Sequence, residues 1–114
     1  MKDSINVLGQ EYALCAGTPE QYPHLNDATG YTDLYAKKIV VDVHYYEKGT
    51  GYKTENPARA LNKVYRHEIV HAFFKESGMD YLFDTADEEE LMVNWVAEQF
   101  PKLQEIFEGL GVDK

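Results

Sequence analysis

Arg66-His67-Glu68-Ile69-Val70-His71-Ala72-Phe73 is the stretch on which the reading of this chain turns. Two histidines four residues apart on a helix lie one turn apart on the same face, so both imidazoles can reach a single ion. Glu68 follows the first histidine and falls on the same side, close enough to act on a water held by that ion. The pattern is H-E-x-x-H, which supplies two metal ligands and a general base from one helical turn. Five letters also arise by chance. The reading therefore needs a helix around them, a third ligand and room for a substrate.

The flanking residues supply the helix. Asn56 is a natural N-cap and Pro57 suits the first helical position, where its missing N–H is not needed. The helix should run to about Ser77, with Gly78 as its stop. Its first half is amphipathic, with Leu61, Val64 and Tyr65 set against Arg59, Asn62, Lys63 and Arg66. From Ile69 to Phe74 apolar residues appear on nearly every side, which predicts burial on more than one side. His71 is the one polar residue in that run, and a buried imidazole needs a partner. Two core histidines hydrogen-bonded to backbone are the plain alternative, but they leave Glu68 unexplained.

Met79 to Asp84 reads as a connector that packs down through Tyr81, Leu82 and Phe83. Thr85 and Glu88 have capping-box spacing and open a second helix. Its expected buried stripe is Leu91, Met92, Trp95, Val96 and Phe100. Pro101 should end or kink it, or start a last short helix over Lys102 to Glu108, with Gly109 to Lys114 as a frayed tail. The third-ligand candidates are His24, His44 and the acidic cluster Asp87-Glu88-Glu89-Glu90. Asp87, Glu88 and Glu89 are accounted for by the helix dipole in the first turn. Glu90 differs because Asn94 follows on the same face, placed to hydrogen-bond a ligating imidazole. Glu90 is the preferred ligand and Glu89 its replacement.

Upstream, Ile5 to Leu14 alternates weakly around Gly9-Gln10, which suggests a two-residue hairpin. Ala16 to Gly30 has loop composition, and His24 within it reads as surface. Tyr31 to Tyr35 and Ile39 to Tyr46 are strand candidates, the latter the strongest β signal in the chain. Alternation would put Val41, Val43 and Tyr45 on one face and Val40, Asp42, His44 and Tyr46 on the other. Residues 47–53 read as a flexible loop.

The 114 residues are expected to form one domain spanning 1–114. A net charge of −9 argues against nucleic-acid or anionic-membrane partners, which need clustered Lys and Arg. Cys15 is the only cysteine, so no internal disulfide can form, and it reads as a small buried hydrophobe. Residues 1–6 lack a basic start followed by an apolar run, and no apolar run is long enough to span a bilayer. A cytoplasmic location is the expectation. The sequence carries no signal for an oligomeric state.

His67-Glu68-Ile69-Val70-His71, followed by Glu90 to Asn94 as E-x-x-x-N, resembles the gluzincin group of zinc metallopeptidases. At this size the chain is most similar to stand-alone minimal members, the minigluzincins and small H-E-x-x-H proteins of phage and prophage genomes. SprT-like and ImmA/IrrE-like domains are more distant by the same criterion. The match is carried by residues 67–73 and 93–101 and extends from about Leu61 to Phe107. Asn94 stands where Asp is usual; an amide accepts the same imidazole hydrogen bond without adding charge. The resemblance implies a zincin-like α+β domain, with a small, mainly antiparallel sheet before the metal helix and the Glu90 helix. It also implies zinc held by His67, His71 and Glu90, and hydrolysis of a peptide or protein with Glu68 as general base on a zinc-bound water. In such relatives an edge strand binds substrate, and Ile39 to Tyr46 is the candidate here. A zinc-binding module without activity, or a latent enzyme whose cleft is blocked by the segment from Lys102 onward, is the alternative.

Overall fold

The computed structural model describes residues 3–45 and 54–114. Ser4–Val7 (β1) and Gln10–Gly17 (β2) form the expected hairpin, with Val7 paired to Gln10. Its two loop residues are Leu8 (φ 51°) and Gly9 (φ 94°), one position earlier than the sequence suggested. A two-residue hairpin loop of this twist needs positive φ at both central positions, and glycine accepts it freely at the second. Asn6 Oδ1 accepts from the Gly9 N–H at 2.8 Å and holds the turn in place.

After β2 the chain passes through a 3-10 turn, Pro23–Asn26, and returns as Gly30–Asp33 (β3) and Lys38–Asp42 (β4). Asp33 Oδ1 accepts from the N–H groups of Tyr35 and Ala36 at 3.1 and 2.8 Å, which folds the chain between β3 and β4 back on itself. The strand order is β1-β2-β4-β3. β1–β2 and β3–β4 are antiparallel, whereas β2–β4 is parallel, so the sheet is mixed around its central pair.

Two expectations for Ile39 to Tyr46 fail. The strand ends at Asp42, whose Oδ1 accepts from His44 N–H at 3.0 Å and turns the chain away. Tyr46 lies outside the described residues. β4 is also an inner strand rather than an edge, and Ile39, Val40 and Val41 are all buried. Val40 and Val41 lie on opposite faces as alternation predicts, but the strand is covered on both, so Val40 and Asp42 are buried as well. Ile39 and Val41 face the helices, packing with Tyr12, Val64 and Ala72. Cys15, Val40 and Tyr31 stand in register on the other face. There the segment between β2 and β3 lies over them, with His24 edge-on to Tyr31 at 5.4 Å between ring centroids.

The long helix Pro57–Ser77 (α1) has the predicted limits. Asn56 accepts from the Arg59 N–H, and Gly78 ends it in the left-handed conformation, φ 82°. Leu61, Val64, Tyr65, Ile69 and Ala72 form the stripe on the sheet, and Glu68 sits in its middle. At the far end Glu76 accepts from the Tyr12 hydroxyl at 2.5 Å and from Lys37 Nζ at 2.7 Å. That clamp ties α1 to β2 and to the turn before β4.

Ala86–Leu110 (α2) is one helix with Pro101 inside it, so Pro101 neither ends it nor starts a separate short helix over Lys102 to Glu108. Proline at 101 removes the N–H that would bond the Ala97 carbonyl. Arg66 Nε of α1 donates to that oxygen instead, at 2.9 Å. At the start Thr85 accepts from Glu88 N–H at 3.1 Å, while Glu88 reaches Asp84 N–H at 3.4 Å.

α2 runs antiparallel to α1, as His71 meets Glu90, Arg66 meets Ala97 and Lys63 pairs with Glu98. Val93 and Ala97 are the residues buried between the helices, not the predicted stripe. Leu91, Trp95 and Phe100 are exposed. The polar contacts at Glu90, Ala97 and Glu98 set the rotation of α2, and the short side chains at 93 and 97 permit the close approach. No helix among the described residues is long and apolar enough to cross a membrane.

Candidate metal centre

Helical spacing brings His67 and His71 together on the flank of α1 that faces α2, their ring centroids 4.9 Å apart. α2 presents Glu90 across them. Its Oε1 lies 2.6 Å from His67 Nε2 and its Oε2 lies 2.9 Å from His71 Nε2. The ligand atoms of these three residues all fall within 4.8 Å of one another. The imidazoles are mostly enclosed, at 18% and 22% exposure, while Glu90 is 47% exposed, so the site is open on the α2 side. Two imidazole nitrogens and one carboxylate at this spacing could hold a metal ion.

Glu68 is the buried member. Only 7% of it is exposed, yet its Oε2 is 4.0 Å from His67 Nε2. Burial pushes its carboxyl above the ordinary carboxylate range; His67 and the Thr32 hydroxyl oppose this, and the Glu90 charge adds to it. Thr32 Oγ1 lies 3.0 Å from the Glu68 backbone carbonyl and 2.9 Å from its Oε1. One hydroxyl carries one proton, so the second contact is satisfied as well when Glu68 is protonated and donates to it. β3 can come this close because Gly30 has no side chain. A Cβ there would stand 2.8 Å from Val64 Cγ1 and 3.1 Å from the Val40 carbonyl oxygen.

Two hollows flank the centre. One, of ≈ 360 Å³, lies between β3 (Tyr31, Thr32) and His71, Lys75, Asp80. The other, of ≈ 580 Å³, is lined by Ala28, Thr29, Ala60, Lys63 and Asn94. Gly30, His67, Glu68 and Glu90 border both, so together they make one cleft running along β3. β3 is the edge of the sheet on this side and pairs only with β4 among the described residues.

The sequence-predicted residues His67, Glu68, His71 and Glu90 thus meet at one point. Asn94 borders the cleft beside them, exposed, with no hydrogen bond to either imidazole among the described residues. Glu89 lines the first hollow but is outside the three-residue group, as are His24 and His44. The segment from Lys102 onward, which the sequence offered as an alternative self-blocking element, has no residue among those that line either hollow. Thr32 and Gly30 were missed by the sequence reading. Their only trace was two-residue spacing in a strand, which puts both on the face toward α1.

In comparison with known proteins, no protein-family model, curated protein or solved structure matches this chain.

Proposed function

We propose that this chain is a zinc-dependent peptidase of the minimal gluzincin type, with a zincin-like fold. Zinc would be held by His67, His71 and Glu90, where it supplies Lewis acidity to the scissile carbonyl and to the attacking water. Glu68 accepts the proton of that water and returns it to the leaving amine. Thr32 orients the Glu68 carboxylate, and the apolar stripe of α1 around it excludes bulk water. The substrate adds as a further strand on the outer side of β3, which replaces Ile39 to Tyr46 in that role because β4 is internal.

The observation that carries this reading is Glu68 itself. A carboxylate in the sheet-facing stripe of α1 is costly to bury, and neither holding a metal nor packing the core needs one there. Glu68→Gln should keep one equivalent of zinc and lose peptide hydrolysis, read by mass spectrometry on a broad peptide library. Unchanged cleavage by that variant would rule the mechanism out.

A second reading rests on the distances from Glu90 to the imidazoles, 2.6 and 2.9 Å, which are hydrogen-bond lengths. The trio could act as an α1–α2 clasp or a zinc-binding module without turnover. Zinc-loaded wild type that cleaves nothing in the library would favour it.

A further inference from the structure

The apolar residues that α2 turns away from the metal centre form one continuous stripe. Val96, Phe100, Leu103, Phe107 and Leu110 follow at spacings of four, three, four and three residues, the seam of a two-helix coiled coil. Phe100, Leu103, Ile106, Phe107 and Leu110 are between 37% and 73% exposed. α2 also outruns α1. Pro101 and Lys102 already lie opposite Arg59, in the first turn of α1, and the turns beyond them project past it. Beside the seam, an apolar groove of ≈ 420 Å³ opens between the helices, bordered by Val70, Phe73 and Phe100.

We propose that this stripe is the interface of a homodimer, in which α2 of a second copy packs antiparallel against it about a twofold axis. The surface is large enough. Phe73 and the five seam residues leave roughly 400–550 Å² of apolar surface in water, taking ~150–200 Å² for a fully exposed large side chain. A stable interface buries about 800 Å² per partner, somewhat over half of it apolar.

The charges favour a second copy over other occupants. Gln99, Gln104 and Ile106 flank the seam, whereas Lys102, Glu105 and Glu108 fall on its outer side. Two chains of net charge −9 therefore meet there without like charges in contact. The same neutral flanks offer nothing to a charged peptide or an anionic membrane. Antiparallel pairing places the projecting turns of each α2 over the Phe73 groove of the other copy, which closes the contact on itself. Glu90 and Asn94 lie on the opposite flank of α2, so both clefts stay open in the dimer.

The test is sedimentation equilibrium of the full chain, once zinc-loaded and once in chelator. Both should give twice the 13.1 kDa chain mass. Phe107→Asp and, separately, Leu110→Lys should weaken association on the order of 100-fold or more while leaving far-UV circular dichroism unchanged. Glu105→Gln, on the outer side, should remain dimeric. Leu110 is 73% exposed, so its variant gives a reading even where Phe107→Asp disturbs folding. A monomer at about 100 μM would overturn the proposal, as would a dimer untouched by both variants or growth beyond the dimer with concentration. A monomer that sediments with neutral phosphatidylcholine vesicles would assign the stripe to a lipid surface instead.

Discussion

Arg66 Nε lies 2.9 Å from the carbonyl oxygen of Ala97, the one oxygen in α2 that Pro101 deprives of its helical donor. An interior proline ordinarily costs a helix about 3 kcal/mol, part of it for the lost hydrogen bond. Here a charged donor from the neighbouring helix replaces that bond, and α2 continues for nine residues beyond Pro101, to Leu110. Arg66→Ala should destabilise the protein by about 1–3 kcal/mol in urea unfolding. In a Pro101→Ala background the restored N–H at position 101 takes the Ala97 oxygen, and the loss should shrink to less than half. Equal losses in the two backgrounds would mean that Arg66 stabilises through packing alone.

Gly30 sets the distance between β3 and α1. Gly30→Ala brings a methyl to within 2.8 Å of Val64 Cγ1, so strand and helix must part. The expected loss is about 1–3 kcal/mol. Val64→Ala in the same chain should recover part of it by making room. Because Thr32 is on the same strand, Gly30→Ala should also weaken its contact with Glu68 and slow any peptide hydrolysis beyond what the stability change explains.

Glu76 and Glu68 predict pH dependences of opposite sign. Lys37 and then Tyr12, bonded to Glu76, hold its carboxyl below the ordinary carboxylate range. Its contribution is therefore complete above the unfolded value of about 4.3 and is lost as pH falls through the lower folded value. The stability gap between wild type and Glu76→Gln should close on the acid side, in urea midpoints recorded from about pH 2.5 to 7. Burial raises the Glu68 carboxyl, so the folded protein prefers it protonated. That preference is fully present below about pH 4.3 and is lost as pH rises through the folded value. Metal-free Glu68→Gln should therefore be at least as stable as wild type at pH 7. A clear loss there would contradict the burial argument.

Glu90 and Glu89 are neighbours in sequence with different expected fates. Glu90→Gln should weaken zinc binding on the order of 100-fold, whereas Glu89→Gln should leave it within a few-fold. Zinc at 100 times its dissociation constant should stabilise the wild type by about 2.7 kcal/mol, visible as a rise in melting temperature. The reverse ranking of the two variants would move the third ligand to Glu89.

The sequence by itself determined the features set by neighbours a few residues apart. The limits of α1 follow from Asn56, Pro57 and Gly78, and the pairing of His67 with His71 follows from helical periodicity. Glu90 was legible because Asn94 marked one face of its helix. Strand existence was readable in β-branched runs, but strand neighbours were not. Only the tertiary structure decided that β4 is internal and β3 the edge along the cleft, since strand order depends on which distant partners pair. The same holds for the rotation and continuity of α2. Propensity alone would stop the helix at Pro101 and bury its largest side chains. Contacts from α1, at His67, His71 and Arg66, instead hold Glu90 inward and supply the donor that Pro101 removes. Those contacts join residues 19 to 31 positions apart, beyond the reach of local pattern.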